Sequence, residues 1–343
     1  MPKISIVVTV WNLEDCITEA LESLQRQTVK PYEFLIIDDG SEDLSKELIS
    51  KYVARNTNWY FYPLAHEGVA NSRNLGLANV TGDYVLFFDG DDVYEPNLVE
   101  KLNSALTEGP DIVAFRSLEL DNYSGMTIKS EWTVKAQHCS RDLRKSIFFS
   151  FVGWPWDKLF KVSFLRKNHL LFPNLLNSED LVFVYSALLK CENISIVDDY
   201  LIKHRINRST SLSNNLGGDG TAFYTAILLL EDFIKKDPIL WKEIKQYFQE
   251  WSIDLTLWAT KTRHINFDDL TLIYPKIDWQ LQDFQESFYP NLRPLLRLAE
   301  STNCEGFLWF LSYNLYKVRK FGLKRTFFLV LTFLLRKVKN TKR

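Results

Sequence analysis

The first 115 residues alternate short apolar segments with amphipathic ones, and this alternation constrains the fold more than any other sequence feature. Ile4–Val10 is an almost continuous apolar run, typical of a strand buried on both faces. Further strands are predicted at Phe34–Asp38, Trp59–Tyr62, Tyr84–Phe88 and Ile112–Phe115. Helices are predicted between them, at Ile17–Gln25, Leu44–Tyr52, Val69–Leu77 and Pro96–Leu106. Strands that alternate with helices indicate an α/β protein with a mostly parallel sheet.

The periodicity changes after this region. Irregular strands and connectors are predicted over Arg116–Phe151, then a helix from Asp180 to Leu189 and strands at Ile194–Val197 and Leu201–Arg205. A glycine-rich break at Gly217–Gly220 precedes long segments with helical apolar periodicity. We therefore predict two domains, an α/β domain over 1–217 and a smaller all-helical domain over 218–343.

Composition and charge exclude several classes of protein. A formal net charge of -2 disfavours a nucleic-acid partner, whose phosphates demand a surplus of Lys and Arg. The four cysteines show no CxxC or CxxH spacing and the N-terminus begins directly with a strand pattern, so a reducing, cytoplasmic location is expected. No apolar run reaches the 18 or so residues needed to span a bilayer.

Acidic residues follow two of the predicted parallel strands. Asp38 and Asp39 end the second strand, and Asp89, Asp91 and Asp92 follow the fourth, while Trp11 follows the first. Ligands of open parallel sheets bind beyond the carboxyl ends of the strands, where these groups should converge. A single acidic loop could serve only to cap a helix, but several on one edge favour a binding site whose repelling charges are balanced by a cation or by hydrogen-bond donors.

The turn Asp89–Asp92 offers oxygen ligands only, which suits Mg²⁺ or Mn²⁺ shared with the phosphates of a bound nucleotide diphosphate. The sequence lacks both GxGxxG after the first strand and GxxxxGK[ST]. Dinucleotide-dependent dehydrogenases and P-loop enzymes are therefore disfavoured.

Seven short segments occur in a fixed order within about the first 215 residues. They are Ser5–Asn12, Ile36–Ser41, Gly68–Asn74, Gly82–Val85, Asp89–Asp92, Trp156–Phe160 and Ser178–Asp180. Together and in this order they resemble the motifs of the family 2 glycosyltransferases, which have the GT-A fold. The resemblance implies a nucleotide-sugar-binding and catalytic GT-A domain over 1–217.

The resemblance also implies a nucleotide site. Thr9, Trp11 and Asp39 match residues that hold the base, usually uracil, with Trp11 replacing the more common Tyr. Arg73 matches a diphosphate-binding arginine, a surface helix cation being the alternative. The implied nucleotide-binding set is Thr9, Val10, Trp11, Asp38, Asp39, Arg73, Asp89 and Gly90.

The DxD element of the family matches Asp89 and Asp91. The implied metal ligands for Mn²⁺ or Mg²⁺ are Asp91, Asp92 and His204, although the division of roles among the three acids stays open and His204 could instead stack on its loop. The loop after His204 is expected to close over the phosphates, where its arginines would neutralise the charge of the departing diphosphate. The residues of this loop are Arg205, Arg208, Ser209 and Ser211.

Glu179–Asp180 resembles the family's catalytic acid pair. Asp180 is expected to be the base that accepts the proton of the attacking hydroxyl, with Glu179 beside it. An N-terminal helix cap is the alternative, and both roles can hold together. Trp154, Trp156 and Lys158 lie where the family builds its acceptor wall, although one of the two tryptophans could equally belong to the core.

The C-terminal tail is basic. Ten Lys and Arg residues lie between Lys317 and Arg343 with no acid after Glu305, and they flank the apolar run Phe327–Leu335. This pattern fits a helix lying in the plane of a membrane surface or a helix docked on the protein's own core or on a partner.

The sequence thus predicts an inverting, metal-dependent hexosyltransferase. Its donor would be a UDP-sugar (glucose, galactose or an N-acetyl form), and its acceptor a lipid-linked or protein-linked glycan in bacterial polysaccharide or glycoprotein synthesis. It would be cytoplasmic, with peripheral attachment at the inner face of the plasma membrane as an option. The alternatives are a catalytically silent binding partner of another transferase and a sugar-1-phosphate nucleotidyltransferase.

Overall fold

The computed structural model describes residues 1–131, 133–134, 143–208 and 221–262, and these form an α/β fold around one mixed sheet. The strands are β1 Ile4–Val10, β2 Glu33–Asp38, β3 Trp59–Pro63, β4 Tyr84–Asp89, β5 Val93–Tyr94, β6 Ile112–Asp121, β7 Thr127–Lys129, β8 Lys158–Lys161 and β9 Ile194–Ile206. The helices are α1 Ile17–Gln25, α2 Ser45–Val53, α3 Val69–Asn79, α4 Leu98–Ser104, α5 Leu143–Ser150, α6 Val162–Lys167, α7 Glu179–Lys190, α8 Thr221–Lys235 and α9 Pro238–Thr262.

Within the described residues the sheet has the strand order β3-β2-β1-β4-β8-β6-β9-β5, with β7 paired to β6. Strands β3, β2, β1 and β4 are parallel, as the alternating pattern predicted. β8 is antiparallel to both of its neighbours, whereas β6 and β9 run parallel to each other. The carboxyl ends of β1, β2 and β4 therefore lie side by side, with Thr9 paired to Asp89 and Val10 paired to Asp38.

The sequence predicts the first half of the fold better than the second. β1 and α1 have the predicted bounds, since each carries an unbroken apolar pattern. β6 continues to Asp121, beyond its predicted end at Phe115, because its second half mixes buried and half-buried residues, which breaks the apolar run, and pairs with β7 and β9. β9 is one strand where two were predicted; the acidic pair Asp198–Asp199 interrupts its apolar pattern.

Two parts of the sequence prediction lie outside the described residues. The predicted domain boundary at 217/218 falls within residues 209–220, and the basic tail after residue 317 is likewise beyond the described ranges. The two-domain division and the membrane association of the tail therefore stay predictions. Among the described helices, none is both long and apolar enough to cross a membrane.

Close contact between α3 and β1 depends on Gly76. A Cβ atom at this position would lie 2.3 Å from Cγ1 and 2.9 Å from Cγ2 of the fully buried Val7. Helix α3 can approach β1 this closely because residue 76 has no side chain.

We predict that Gly76→Ala lowers the free energy of unfolding by about 1–3 kcal/mol, because the added methyl overpacks the contact with Val7. Urea denaturation of Gly76→Ala, Val7→Ala and the double variant measures this. The double variant should be more stable than the sum of the two single losses implies, since Val7→Ala removes the clashing methyls. Strictly additive losses would contradict this account of the packing.

Candidate active site

The candidate site lies at the sheet edge where β1, β2 and β4 end. Thr9 Oγ1, at the end of β1, donates to Asp89 Oδ1 at 3.2 Å, and the Gly90 amide donates to the Thr9 carbonyl at 2.9 Å. These bonds tie the turn Asp89–Asp92 to β1. The sheet thus brings together Thr9, Val10, Asp38, Asp89 and Gly90, as the strand pattern predicted.

Asp39 holds the loop that leads into α3. Its carboxylate accepts hydrogen bonds from the amides of Glu67 and Gly68 at 2.9 to 3.2 Å, and His66 Nδ1 lies 2.9 Å from its Oδ2. Gly40 makes this approach feasible, because it has a φ of 77° and a Cβ there would lie 2.7 Å from the His66 amide nitrogen. The carboxylate of Asp39 is therefore bound to the backbone of this loop in the described structure.

His66 is a site residue that the sequence reasoning missed. Its ring stacks on Trp11, with ring centroids 4.6 Å apart and an angle of 17° between the planes. A single histidine before a helix is not a distinctive signal, and only the contact with Asp39 brings it to Trp11. The exposed edge of the sheet thus carries a stacked aromatic pair next to a carboxylate.

Asp38 is fully buried. Its Oδ2 accepts a hydrogen bond from the Ser41 amide at 3.1 Å, and Lys46 Nζ lies 3.7 Å away. This carboxylate shapes the turn after β2 and has no access to a ligand from solvent.

Arg73 is buried on α3 between two carboxylates. Its NH2 donates to Asp89 Oδ1 at 2.7 Å and its NH1 to Glu179 Oε1 at 2.6 Å. Burial opposes its charge, but these carboxylates outweigh that effect and raise the pKa of Arg73. The arginine thus links the turn after β4 to the first residue of α7.

The two remaining acids of the turn have different surroundings. Asp92 is fully buried; its Oδ1 accepts from the Arg205 amide at 2.8 Å and lies 3.1 Å from His204 Nδ1. Asp91 is partly exposed, and its Oδ2 lies 3.4 Å from Arg208 NH2. Burial and the charges of Asp92 and Asp89 raise the pKa of Asp91 to about 7, against the opposing effects of Arg208 and His204.

His204 faces this turn from β9. Burial by itself would lower the pKa of His204, but the negative charges of Asp92, Asp91 and Asp89 raise it to about 9. Its ring also stacks on Trp156, with centroids 4.9 Å apart and planes 15° apart. Of the two roles considered for His204, the described contacts correspond to the stacked ring.

Arg205 is buried and forms hydrogen bonds with several neighbours. Its Nε donates to the Asp91 carbonyl at 2.7 Å, and its guanidinium bonds to Asn122 at 3.2 Å and to Glu19 at 2.6 Å. Arg208 is also buried, with Asp91 and Asp15 as its acidic neighbours. Ser209 and Ser211 lie outside the described residues, so their contact with phosphate stays a prediction.

Trp154, Trp156 and His204 form a continuous stack. The Trp154 and Trp156 rings lie 4.7 Å apart at 23°. Trp156 is buried in the core cluster, whereas Trp154 is partly exposed. Of the two tryptophans, Trp154 is therefore the one that can present a ring face to a ligand.

Lys158 holds the loop that carries Trp154. It is fully buried, pairs with the equally buried Asp157 at 2.5 Å, and donates to the carbonyls of Val152 at 2.8 Å and Trp154 at 2.9 Å. Its ammonium group thus fixes the Trp154 loop, and only Trp154 of the three predicted acceptor residues is exposed.

Asp180 is partly exposed in the first turn of α7, and its Oδ1 accepts from the Leu181 amide at 2.7 Å. Glu179, next to it, is buried. Burial and the charge of Asp180 raise the pKa of Glu179 to about 7, although Arg73 opposes this shift. The helix terminus thus presents one accessible carboxylate, Asp180, beside one that is bound to arginine.

The acids of this edge are also candidate ligands of a divalent metal. Among the described residues, no three or more Asp, Glu, His or Cys side chains gather as a metal-binding group. Asp92 is fully buried, whereas Asp89 and Asp91 are both partly exposed; Asp89 Oδ1 accepts hydrogen bonds from Thr9 and Arg73, and Asp91 Oδ2 lies 3.4 Å from Arg208 NH2. The donor set fits a cation that completes its coordination with phosphate oxygens and water, as Mg²⁺ commonly does.

Comparisons with known proteins agree with the motifs. The sequence profile of Glycosyl transferase family 2 matches residues 5–163. A cholesterol galactosyltransferase of Borreliella burgdorferi is 28% identical over 62% of this chain and 63% of its own length. A poly(ribitol-phosphate) beta-glucosyltransferase of Bacillus spizizenii is 33% identical over 60% of this chain and 32% of its own length. The chain thus spans less than two thirds of these relatives.

Solved structures show the same fold. The crystal structure of S. aureus TarS 1-349 in complex with UDP matches with a TM-score of 0.65 and 20% identity, over 94% of this chain and 92% of that one. The UDP-GlcNAc complex of the same protein has a TM-score of 0.67. This likeness confirms a GT-A-like α/β architecture. The profile match over residues 5–163 and the ordered motifs identify this part of the chain as similar to Glycosyl transferase family 2, and the shared fold agrees with it.

Proposed function

We propose that this protein transfers a hexosyl residue from a UDP-sugar to a saccharide acceptor during bacterial polysaccharide or glycoprotein glycan synthesis. Glucose, galactose and their N-acetyl forms are the candidate sugars. The proposal is supported by the match of residues 5–163 to the family 2 profile, by relatives named as a galactosyltransferase and a glucosyltransferase, and by the complexes of TarS with UDP and UDP-GlcNAc.

One observation carries the proposal. The accessible carboxylate of Asp180 follows directly after Glu179, and Arg73 connects Glu179 to Asp89 of the turn after β4. A proton acceptor is thereby held next to the sheet edge at which the family binds its donor. This juxtaposition suits a reaction in which an acceptor hydroxyl attacks a sugar that is bound at that edge.

The proposed chemistry is a single displacement. The acceptor hydroxyl attacks the anomeric carbon opposite the leaving diphosphate, and Asp180 takes up its proton. Attack from the opposite face inverts the configuration, so an α-linked donor yields a β-linked product. Trp154 can pack against the apolar face of the acceptor sugar, because its ring is partly exposed and held by the Trp156 stack.

For the donor site, we propose that Asp91 holds a Mn²⁺ or Mg²⁺ ion that the diphosphate shares. Such an ion would neutralise charge on the leaving group. Contacts within the protein support this choice: Asp92 is fully buried against His204 and the Arg205 amide, and Asp89 Oδ1 already accepts hydrogen bonds from Arg73 and Thr9.

We predict that Asp91→Asn weakens the affinity for UDP in the presence of Mn²⁺ by about tenfold or more, because it removes one charged ligand. Isothermal titration calorimetry with UDP, with and without Mn²⁺, measures this. Glu108→Gln, which changes an exposed carboxylate, is the control and should bind as the native protein does. Native affinity for UDP and Mn²⁺ in Asp91→Asn would refute the assignment.

We predict that Asp180→Asn lowers kcat by about 10²- to 10⁴-fold, the usual contribution of a general base, and leaves the affinity for UDP nearly unchanged. UDP release from UDP-sugars, followed with a coupled assay, measures turnover. The control is Asp232→Asn on the exposed face of α8. Full turnover by Asp180→Asn would place the base elsewhere.

A further inference from the structure

Arg73 sits at a junction of three elements. It is on α3, and its two terminal nitrogens bond to β4 through Asp89 and to α7 through Glu179. Its guanidinium also lies over the Phe172 ring, 5.3 Å from the centroid. Only 6% of the Arg73 side chain is exposed, and the same holds for Glu179.

The bridge that Arg73 makes continues to β1. Asp89 Oδ1 accepts hydrogen bonds from both Arg73 and Thr9. A path of short polar contacts therefore runs from the end of β1, through Asp89 and Arg73, to Glu179 at the start of α7. Charge-assisted bonds of this kind are the strongest hydrogen bonds in proteins, particularly when water is excluded.

The entry to α7 also needs such a restraint. Ser178, which precedes the helix, has a φ of 64°, in the left-handed region that residues other than glycine rarely adopt. Strained backbone of this type persists where the surrounding contacts determine it. The ion pair from Glu179 to Arg73 is a contact of this kind, because it anchors the first residue of α7.

On the basis of the proposed function, we infer that Glu179 and Arg73 are positioning residues, which hold the base Asp180 at a fixed place relative to the donor-binding turn. Glu179 then acts through Arg73 and the helix backbone and does not itself touch the substrate. Arg73 acts as a structural link between the donor side and the base, in place of the direct phosphate contact that the sequence suggested.

The charges around Glu179 lead to a second consequence. Glu179 faces Arg73 from α3, Asp89 from β4 and Asp180 from its own helix, and Lys158 of β8 adds a positive charge near Asp180. Burial and the charge of Asp180 raise the pKa of Glu179 to about 7, and the positive charge of Arg73 opposes this shift. The ion pair with Arg73 therefore favours the ionised form of Glu179 that anchors the helix.

The test uses Glu179→Gln, which keeps an oxygen for Arg73 but loses the charge, and Glu179→Ala, which loses both. Glu192→Gln, at an exposed glutamate just beyond α7, is the matched control. We expect kcat to fall on the order of 10²-fold in Glu179→Ala and less in Glu179→Gln, since displacement of a catalytic group by about 1 Å has this effect. The donor KM and the affinity for UDP plus Mn²⁺ should change by less than about twofold.

Two further measurements separate positioning from a general loss of structure. The kcat of Glu179→Ala should fall at an unchanged donor KM, with partial rescue in Glu179→Gln, whereas Glu192→Gln should keep the native values of both. Amide hydrogen exchange over residues 181–184 should become faster in both Glu179 variants, because the first turn of α7 loses its anchor.

Several results would overturn the inference. Native kcat in both Glu179 variants, together with an inactive Asp180→Asn, would remove the positioning role and leave the proposed function intact. If Arg73→Lys weakened UDP binding by tenfold or more with kcat preserved, Arg73 would be a phosphate ligand. If no UDP-sugar were turned over by the native protein, the proposed function would fail, and unchanged amide exchange in the Glu179 variants would then refute the anchor independently.

Discussion

The structure depends on balancing negative charges that the parallel sheet places on one edge. Asp89, Asp91 and Asp92 follow β4 within four residues, and like charges this close repel each other strongly in a buried setting. Each acid is matched by a positively charged group from a distant segment of the chain. Asp89 is paired with Arg73 of α3, whereas β9 and the residues after it provide His204 for Asp92 and Arg208 for Asp91.

This pairing explains how a local turn organises remote elements. The cations are fixed only when α3 and β9 occupy their places, so the charge balance of the turn also determines where α7 and the Trp154 stack lie. Asp89 and Asp92 accept hydrogen bonds from several groups of the protein, whereas the partly exposed Asp91 faces Arg208 at 3.4 Å and is the acid we propose to meet a ligand. The same separation recurs at α7, where Glu179 is bound to Arg73 and Asp180 remains accessible.

The sequence could predict the elements whose apolar patterns are continuous and the residues that lie at strand ends. Strand β1, helix α1 and the convergence of Asp38, Asp89 and Asp91 on one edge all follow from local patterns. Long-range contacts could not be predicted in this way. His66 stacks on Trp11 only because Asp39 orders its loop, and Lys158 is buried only because Asp157 and two carbonyls accept its hydrogen bonds. Neither residue type, taken alone, indicates such an environment.

The most direct measurement of the central claim is UDP release by the native protein across a donor panel. The panel comprises UDP-glucose, UDP-galactose, their N-acetyl forms, GDP-mannose and dTDP-glucose, each with Mn²⁺ and without it. We expect metal-stimulated cleavage of at least one UDP-sugar and a clear preference for UDP donors over GDP and dTDP donors. If none of these nucleotides bound, or if UDP, GDP and dTDP donors were cleaved equally well, a donor site that recognises uracil at this edge of the sheet would be contradicted.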